Sequence, residues 1–174
     1  QFGSNIMRKY LHIDVNQHSV REEEFSGDQV ARAGRHFIAK TLLEENAATV
    51  DPLGPDNPLI FSVGPFAGSN WSNANRTSVG CKSPLTGGVK ESNAGGSFGL
   101  AMGQLHLAGF TLHNASEDWI VIHLKKDGTI SFDSIQNLTD GCHEHGCAVM
   151  IQLTHLGCRT NWNKHDWLPV VSSS

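Results

Sequence analysis

A glycine-rich segment in the middle of the chain has the composition of an anion-binding loop. Residues 92–97 read SNAGGS and precede Phe98, Met102 and Leu105, whose spacing predicts a helix. Backbone N–H groups at the start of a helix suit a phosphate, and glycines let the anion come close because they carry no side chain. The segment matches neither a P-loop nor a dinucleotide fingerprint, so a plain turn is the alternative interpretation.

Arg76 lies between two polar loops on the N-terminal side of the glycine-rich segment. A guanidinium there could clamp a phosphate or stack on a flat ring. The alternative interpretation is an ordinary surface arginine, and the sequence alone favours it slightly.

The residues 142–147, with sequence CHEHGC, resemble a metal-binding cluster. A zinc site needs a second ligand pair, and His155 and Cys158 come after the apolar run 147–153, which predicts a strand. Strand alternation would point such ligands apart, so a helix end carrying polar histidines is favoured over a metal site. Gln152, near the end of that strand, could face a ligand or be a buried amide.

These candidate groups need elements to position them, and the hydrophobic pattern predicts both strands and helices. Asp28 is expected to be the N-cap of one helix that runs to about Asn46, and another helix covers residues 135–144 and ends at Gly146. Prolines and glycines exclude regular structure from residues 51–58. The predicted strands are 7–15 (half-buried), 19–22, 59–63, 77–81, 119–124, 129–132 and 147–153. Asp127 and Gly128 form the expected turn between 119–124 and 129–132.

Length and composition restrict the class of protein. The chain has 174 residues, 39% of them hydrophobic, with a formal net charge of −4. That length suits one ordinary domain, or at most two very small ones, with enough apolar residues for a core. The charge argues against a nucleic-acid partner. We find neither an apolar run long enough to cross a membrane nor a signal-peptide core, and only four cysteines. We therefore expect a cytoplasmic protein with reduced thiols and no membrane partner.

Several motifs together are similar to the N-terminal domain of the aldehyde ferredoxin oxidoreductase family. They are VDPLGPDNPLIF (50–61), GPFAG (64–68), KSPLTGG (82–88), ESNAGGSFG (91–99) and LAGF (107–110). The resemblance covers about residues 5–133. It implies an α+β fold in which mixed β-sheets with a few helices form the base under a tungsten or molybdenum bis-pterin cofactor.

The resemblance also implies roles for four cofactor-binding residues. Arg76 would lie against the pterins, and the Gly95 N–H, in a cradle shared with Gly96, would meet a phosphate. The main-chain carbonyl of Asn93 would bind a magnesium ion that bridges the cofactor phosphates. The family's iron–sulfur cysteines lie in later domains, so an intact enzyme would include other domains or subunits. Its partners would be an aldehyde substrate and a ferredoxin-like electron acceptor.

The C-terminal part resembles a different family. Residues 138–157 (LTDGCHEHGCAVMIQLTHLG) and 159–162 (RTNW) are similar to the flavin-dependent old yellow enzymes. Their fold is a β/α barrel, so this piece would be a helix–strand unit. The resemblance implies that Gln152 would hydrogen-bond the ring of an FMN cofactor.

The two resemblances predict two segments and leave three functions open. Residues 1–134 would be the pterin-cofactor base domain and residues 135–174 a β/α-barrel-like fragment. The chain would belong to an aldehyde oxidoreductase, to a flavin-dependent NAD(P)H oxidoreductase, or to a non-catalytic scaffold that has lost its cofactor. No catalytic residue can be named, and the chain alone is not expected to be a complete catalyst.

Overall fold

The structure is a computed structural model that describes residues 7–144, except for the side chains of Leu138, Thr139, Cys142 and His143. Contacts within the chain divide it into two compact units, Gln1–Ser134 and Ile135–Ser174. The strands are β1 (Met7–Asp14), β2 (Ser19–Ser26), β3 (Leu59–Val63), β4 (Arg76–Lys82), β5 (Val89–Gly95), β6 (Leu107–His113), β7 (Ile120–Leu124) and β8 (Ile130–Ser134). The helices are α1 (Asp28–Ala31), α2 (Arg35–Glu44), a short 3₁₀ turn (Ala47–Thr49), α3 (Ser97–Gln104) and α4 (Ile135–Glu144).

The first unit is built on a six-stranded mixed sheet in the order β2-β1-β6-β3-β4-β5. Strands β1 and β6 are parallel, and every other neighbouring pair in this sheet is antiparallel. Strands β7 and β8 form a separate antiparallel hairpin. Mixed sheets with few helices confirm the predicted α+β fold class.

The sheet has a hydrophobic core on each face. On one face Ile38 and Leu42 of α2 pack with Ile60, and Tyr10 packs with Phe25 and Val30. On the other face Met102 of α3 joins a cluster that is also covered by apolar residues of β7 and β8. The cluster's buried members are Leu11, Ile13, Val15, Val63, Ala67, Met102, Leu107 and Phe110.

The half-buried character predicted for the first strand is wrong. Tyr10 is fully buried and its neighbour Leu11 is only 2% exposed, and they pack into the cores on opposite faces. Strand β1 lies between β2 and β6 and is packed on both faces. Its successive side chains therefore point alternately into two cores, and neither face is open to solvent along Tyr10 and Leu11.

The single helix predicted from Asp28 to about Asn46 is two helices in the structure. Gly27, not Asp28, is the N-cap of α1, which ends at Ala31, and Gly34, whose φ is +87°, is the N-cap of α2. The Gly34 N–H donates to the Oγ of Ser62 on β3 at 2.7 Å. This tertiary hydrogen bond replaces a bond within the helix, and glycine adopts the required backbone conformation without strain.

Strand β6 was not predicted, and residues 89–95 form a strand where a glycine-rich loop leading into a helix was expected. The predicted strands 59–63 and 77–81, the hairpins at 16–17 and 127–128 and the irregular segment 51–58 are confirmed. Helix 135–144 is confirmed in its bounds, whereas Gly146 and the predicted strand 147–153 lie outside the described residues.

Within residues 7–144, no helix combines the length and apolar character that crossing a bilayer requires.

Candidate functional site

The glycine-rich segment connects the edge strand β5 to helix α3. Gly95 ends the strand, Ser97 begins the helix, and Gly96 between them is the N-cap with φ +139°. L side chains rarely adopt that conformation, so the connection needs a glycine at this position. The first turn of α3 contains no acidic residue, which leaves the partial positive charge of the helix start uncompensated by side chains.

Arg76 reaches the same place through strand pairing. It begins β4 and lies opposite Gly95 in the β4–β5 register. A cavity of about 470 Å³ is lined by Asn73, Asn75, Arg76, Gly95, Gly96, Ser97 and Leu100. The structure therefore brings Arg76, Gly95 and Gly96 together at one cavity, although they are up to 20 residues apart in sequence.

Asn93 is placed beside Arg76 by the same strand pair. Its Oδ1 accepts a hydrogen bond from the Arg76 Nε–H, and its main-chain carbonyl accepts one from Nη2 at 3.4 Å. The Asn93 Nδ2 donates to the Oγ of Ser78 at 2.9 Å. The carbonyl that the resemblance assigns to magnesium is thus in contact with a guanidinium in this structure.

Helix α3 is held by close backbone contact with the loop between β3 and β4. A Cβ added to Gly99 would lie 2.6 Å from the Asn75 carbonyl oxygen, and one added to Gly103 would lie 2.1 Å from the carbonyl carbon of Ala67. Such distances exclude a side chain at either position. The two glycines are four residues apart and so share one helix face, a spacing that could have identified them from sequence.

The loop itself is fixed by two side chains that sequence reasoning did not single out as site residues. The Asn75 Oδ1 accepts from the Gly68 N–H at 2.8 Å, and Nδ2 donates to the Ser69 carbonyl at 2.9 Å. The Nη2 of Arg8 donates to the carbonyl oxygens of Pro65 and Ala67, each at 2.9 Å. Burial lowers the pKa of Arg8, whose charge is stabilised here by carbonyl dipoles.

The residues that line the cavity suit an anion. They offer a guanidinium, two side-chain amides, a hydroxyl and glycine backbone, and no carboxylate is among them. A phosphate oxygen is the acceptor that such a donor set fits best. Among the described side chains, no group of three or more His, Cys, Asp and Glu is placed to hold a metal ion.

A second polar cluster lies between β1, β2 and β6, outside the cavity. His12 Nδ1 lies 3.1 Å from His113 Nε2, and His12 Nε2 lies 3.2 Å from the Glu23 carboxylate. The pKa of His113 is lowered, first by burial and then by the positive potential of His12 and Arg21, against opposing contributions from Glu45 and Asp14. This cluster is a partly buried, hydrogen-bonded network that sequence reasoning did not predict.

Other predicted candidates lie outside the described part of the chain. Gln152, Cys147, His155 and Cys158 belong to residues 145–174, and the side chains of Cys142 and His143 are also not described. The flavin role of Gln152 and the interpretation of the CHEHGC motif stay predictions.

Comparison with known proteins gives relatives for most of the chain. The tungsten-containing aldehyde ferredoxin oxidoreductase of Thermococcus kodakarensis is 33% identical over 125 residues, which are 68% of this chain and 20% of that protein. A probable N-methylproline demethylase of Rhizobium meliloti is 62% identical over 40 residues, 23% of this chain and 6% of that protein. The chain spans about a fifth of the length of the aldehyde oxidoreductase relative.

A solved structure shares the fold. The active-site complex BamBC of benzoyl coenzyme A reductase, bound to 1,5-dienoyl-CoA, superposes with a TM-score of 0.66. The match covers 79% of this chain and 23% of that one, and 21% of the residues are identical. At that identity the similarity shows the fold alone.

The family comparison is more specific. The model of the aldehyde ferredoxin oxidoreductase N-terminal domain matches residues 10–153, which extends beyond residue 133, where the first resemblance was expected to end. The origin of residues 135–174 stays a prediction, since the division into compact units describes packing only. With its fold, its glycine-rich site and this match over most of its length, the chain belongs to the aldehyde ferredoxin oxidoreductase family.

Proposed function

We propose that the cavity beside α3 binds the phosphate groups of a tungsten or molybdenum bis-pterin cofactor. The observation that carries the proposal is the convergence of Arg76, Gly95, Gly96 and the start of α3 on one cavity without a carboxylate in its lining. The family and its tungsten-containing relatives support the identity of the cofactor.

Each residue has a distinct part in this proposal. Gly95 and Gly96 present backbone N–H groups to phosphate oxygens, and Gly96 also turns the chain into the helix. The Arg76 guanidinium supplies a positive charge whose N–H fork matches phosphate oxygens or lies flat against a pterin ring. Ser97 adds a hydroxyl at the first helical position.

The proposed magnesium role of Asn93 makes a specific demand on this site. Its carbonyl accepts from Arg76 Nη2, so a cation on the second lone pair of that oxygen would lie close to the guanidinium. A bridging phosphate would give both positive groups a common partner, which offsets their mutual repulsion.

The intact protein is proposed to oxidise an aldehyde to a carboxylic acid and to pass the electrons to a ferredoxin-like acceptor. When bound, the metal–pterin group would supply the two-electron chemistry. The residues of this chain bind and orient the cofactor, and other domains or subunits complete the enzyme.

Calorimetric titration of the full chain with inorganic pyrophosphate tests the anion site. We expect wild-type protein to bind and Gly96→Ala to bind about tenfold more weakly, because a methyl group strains the cradle. Gly87→Ala is the matched control, since Gly87 also has a positive φ of 70° but lies in a turn away from the cavity. Absence of binding by the wild type, or equal binding by Gly96→Ala, contradicts the proposal.

Elemental and cofactor analysis of the intact, cofactor-loaded protein tests the rest of the proposal. Tungsten or molybdenum together with pterin is the expected result. Pure protein with neither, despite all its partner domains, would favour the scaffold alternative.

A further inference from the structure

Three side chains form a line across β4 and β5. Arg76 lies opposite Gly95 and Ser78 lies opposite Asn93 in the antiparallel register. Alternate residues of a strand point to the same face, so Arg76, Ser78 and Asn93 share one face of the sheet. Ser78 is 4% exposed, Asn93 is half-buried and Arg76 is exposed, so the line runs from the interior to the cavity.

The hydrogen bonds along this line fix the orientation of the Asn93 amide. Its Nδ2 donates to Ser78 Oγ, and its Oδ1 accepts from Arg76 Nε. A flipped amide would direct an NH₂ group at the guanidinium, and two donors would then face each other. The guanidinium, which can only donate, therefore selects the oxygen end of the amide, and the buried hydroxyl of Ser78 accepts from the other end and holds the amide in place.

The hydrogen bonds from Nε and Nη2 to Asn93 leave the Nη1 group of the guanidinium for a ligand. Nη1 lies 3.5 Å from the position of a Cβ built on Gly95, at the cavity wall. Within residues 7–144, Arg76 takes part in no ion pair, so its positive charge has no carboxylate partner. An exposed arginine otherwise samples many rotamers, and ordering it on binding would reduce affinity.

Asn93 is also an unfavourable choice for a strand position. Asparagine is depleted in strands, whereas a β-branched residue opposite Ser78 would suit the pleated surface better. Asn93 has a low strand propensity and yet makes two directed hydrogen bonds, so we infer that it is present for those hydrogen bonds and not for strand stability.

We propose that Asn93 and Ser78 are positioning residues that hold the Arg76 guanidinium ready for a phosphate group. The inference rests on the proposed function of the cavity and adds a role for the side chain of Asn93. Asn93 orients Arg76 directly, and Ser78 acts through Asn93.

The test combines a structural and a binding measurement on the full chain. The hydrogen-exchange rate of the Arg76 side-chain Nε–H, measured by ¹⁵N NMR, reports the hydrogen bond to Asn93. Titration with inorganic pyrophosphate reports its consequence. The variants are Asn93→Ala, Ser78→Ala and Ser78→Thr, and Ser92→Ala is the control because Ser92 is exposed on the opposite face of β5.

We expect Nε–H exchange to accelerate in Asn93→Ala and Ser78→Ala and the pyrophosphate Kd to rise about tenfold and about threefold, respectively. Ser78→Thr should restore both values, since it returns the hydroxyl and suits a strand. Ser92→Ala should behave as wild type. Rescue by threonine separates positioning from a general loss of packing.

Unchanged Nε–H exchange in both alanine variants, or unchanged pyrophosphate affinity despite faster exchange, would overturn the inference. If Asn93→Ala does not fold, Ser78→Ala and Ser78→Thr decide the question. A wild-type chain that does not bind pyrophosphate overturns the proposed function and this role with it. If exchange were still faster in the variants, the hydrogen bonds between Arg76, Asn93 and Ser78 would be established, but without a role in binding phosphate.

Discussion

Gly103 and Ala67 are in direct backbone contact: a Cβ on the glycine would lie 2.1 Å from the Ala67 carbonyl carbon. Helix α3 and the loop before β4 therefore touch without intervening side chains. The start of α3 forms part of the cavity, so this contact sets the position of the candidate site as well as of the core.

The first prediction is that Gly103→Ala destabilises the protein. The methyl group must displace the loop or the helix, and overpacking of this kind costs about 1–3 kcal/mol or more. Denaturant unfolding followed by circular dichroism measures the change. Gly141→Ala is the control: Gly141 lies in α4, where the added methyl meets nothing within 4 Å beyond its chain neighbours and its own helix backbone, and alanine is the better helix former. A stability loss equal in both variants would contradict the steric explanation.

A buried hydrogen bond between β1 and β6 gives the second prediction. The Tyr10 hydroxyl and Thr111 Oγ1 are 2.6 Å apart and both residues are fully buried. Thr111→Val leaves the tyrosine hydroxyl without a partner, so we expect a loss of about 1–3 kcal/mol in the free energy of unfolding. Burial raises the pKa of Tyr10, so the phenol stays neutral.

A double-mutant cycle tests the second prediction. Tyr10→Phe and Thr111→Val should each destabilise the protein, and the double variant should lose less than the sum of the two because no polar atom is left unpaired. Additive losses would show that the two hydroxyls contribute independently.

The strands were predictable from sequence where local pattern and tertiary packing agree. The apolar run 59–63 and the Asp127–Gly128 turn each indicate the element that forms. The break at Gly34 was not predictable in this way, because its cause is the hydrogen bond to Ser62 on a strand 28 residues away. Strand β6 follows α3 through His106, which has a positive φ of 56°, and no turn residue marks that connection.

The candidate site was predictable in its parts and not in its assembly. The glycine-rich composition and the family motifs identified Arg76, Asn93, Gly95 and Gly96. Their convergence depends on the β4–β5 register, and pairing between strands is not encoded by either strand's own pattern. Ser78 was missed because a serine in a strand of mixed polarity carries no distinguishing signal.

The third prediction concerns acid stability and His113. Burial lowers the pKa of His113 below its ordinary value of 6.5, so the unfolded chain takes up this proton at a higher pH than the folded protein does. The contribution of His113 to the free energy of unfolding is therefore constant well above pH 6.5. It falls as the pH drops through 6.5 and stops changing below the pKa of His113 in the folded state.

Unfolding free energies measured from pH 8 down to pH 5 test this linkage. His113→Gln should flatten part of the decline, since glutamine can retain a hydrogen bond to His12 without binding a proton. His36→Gln is the control because His36 is exposed on α2. A pH profile of His113→Gln that parallels the wild type would show that another group is responsible.

The fourth prediction separates charge from geometry at Arg76. Arg76→Lys keeps the positive charge but lacks the planar fork and the Nε–H that Asn93 accepts, so we expect pyrophosphate to bind about tenfold more weakly. Arg76→Gln also removes the charge, and a further loss of about tenfold is expected.

Titrations at two salt concentrations distinguish the variants, because the lysine variant should keep the wild-type salt dependence and the glutamine variant should lose part of it. Arg32→Lys, at an exposed arginine outside the cavity, is the control. Equal affinity of the lysine variant and the wild type would contradict this prediction. It would show that Arg76 acts as a point charge and that its hydrogen bonds to Asn93 do not contribute to binding.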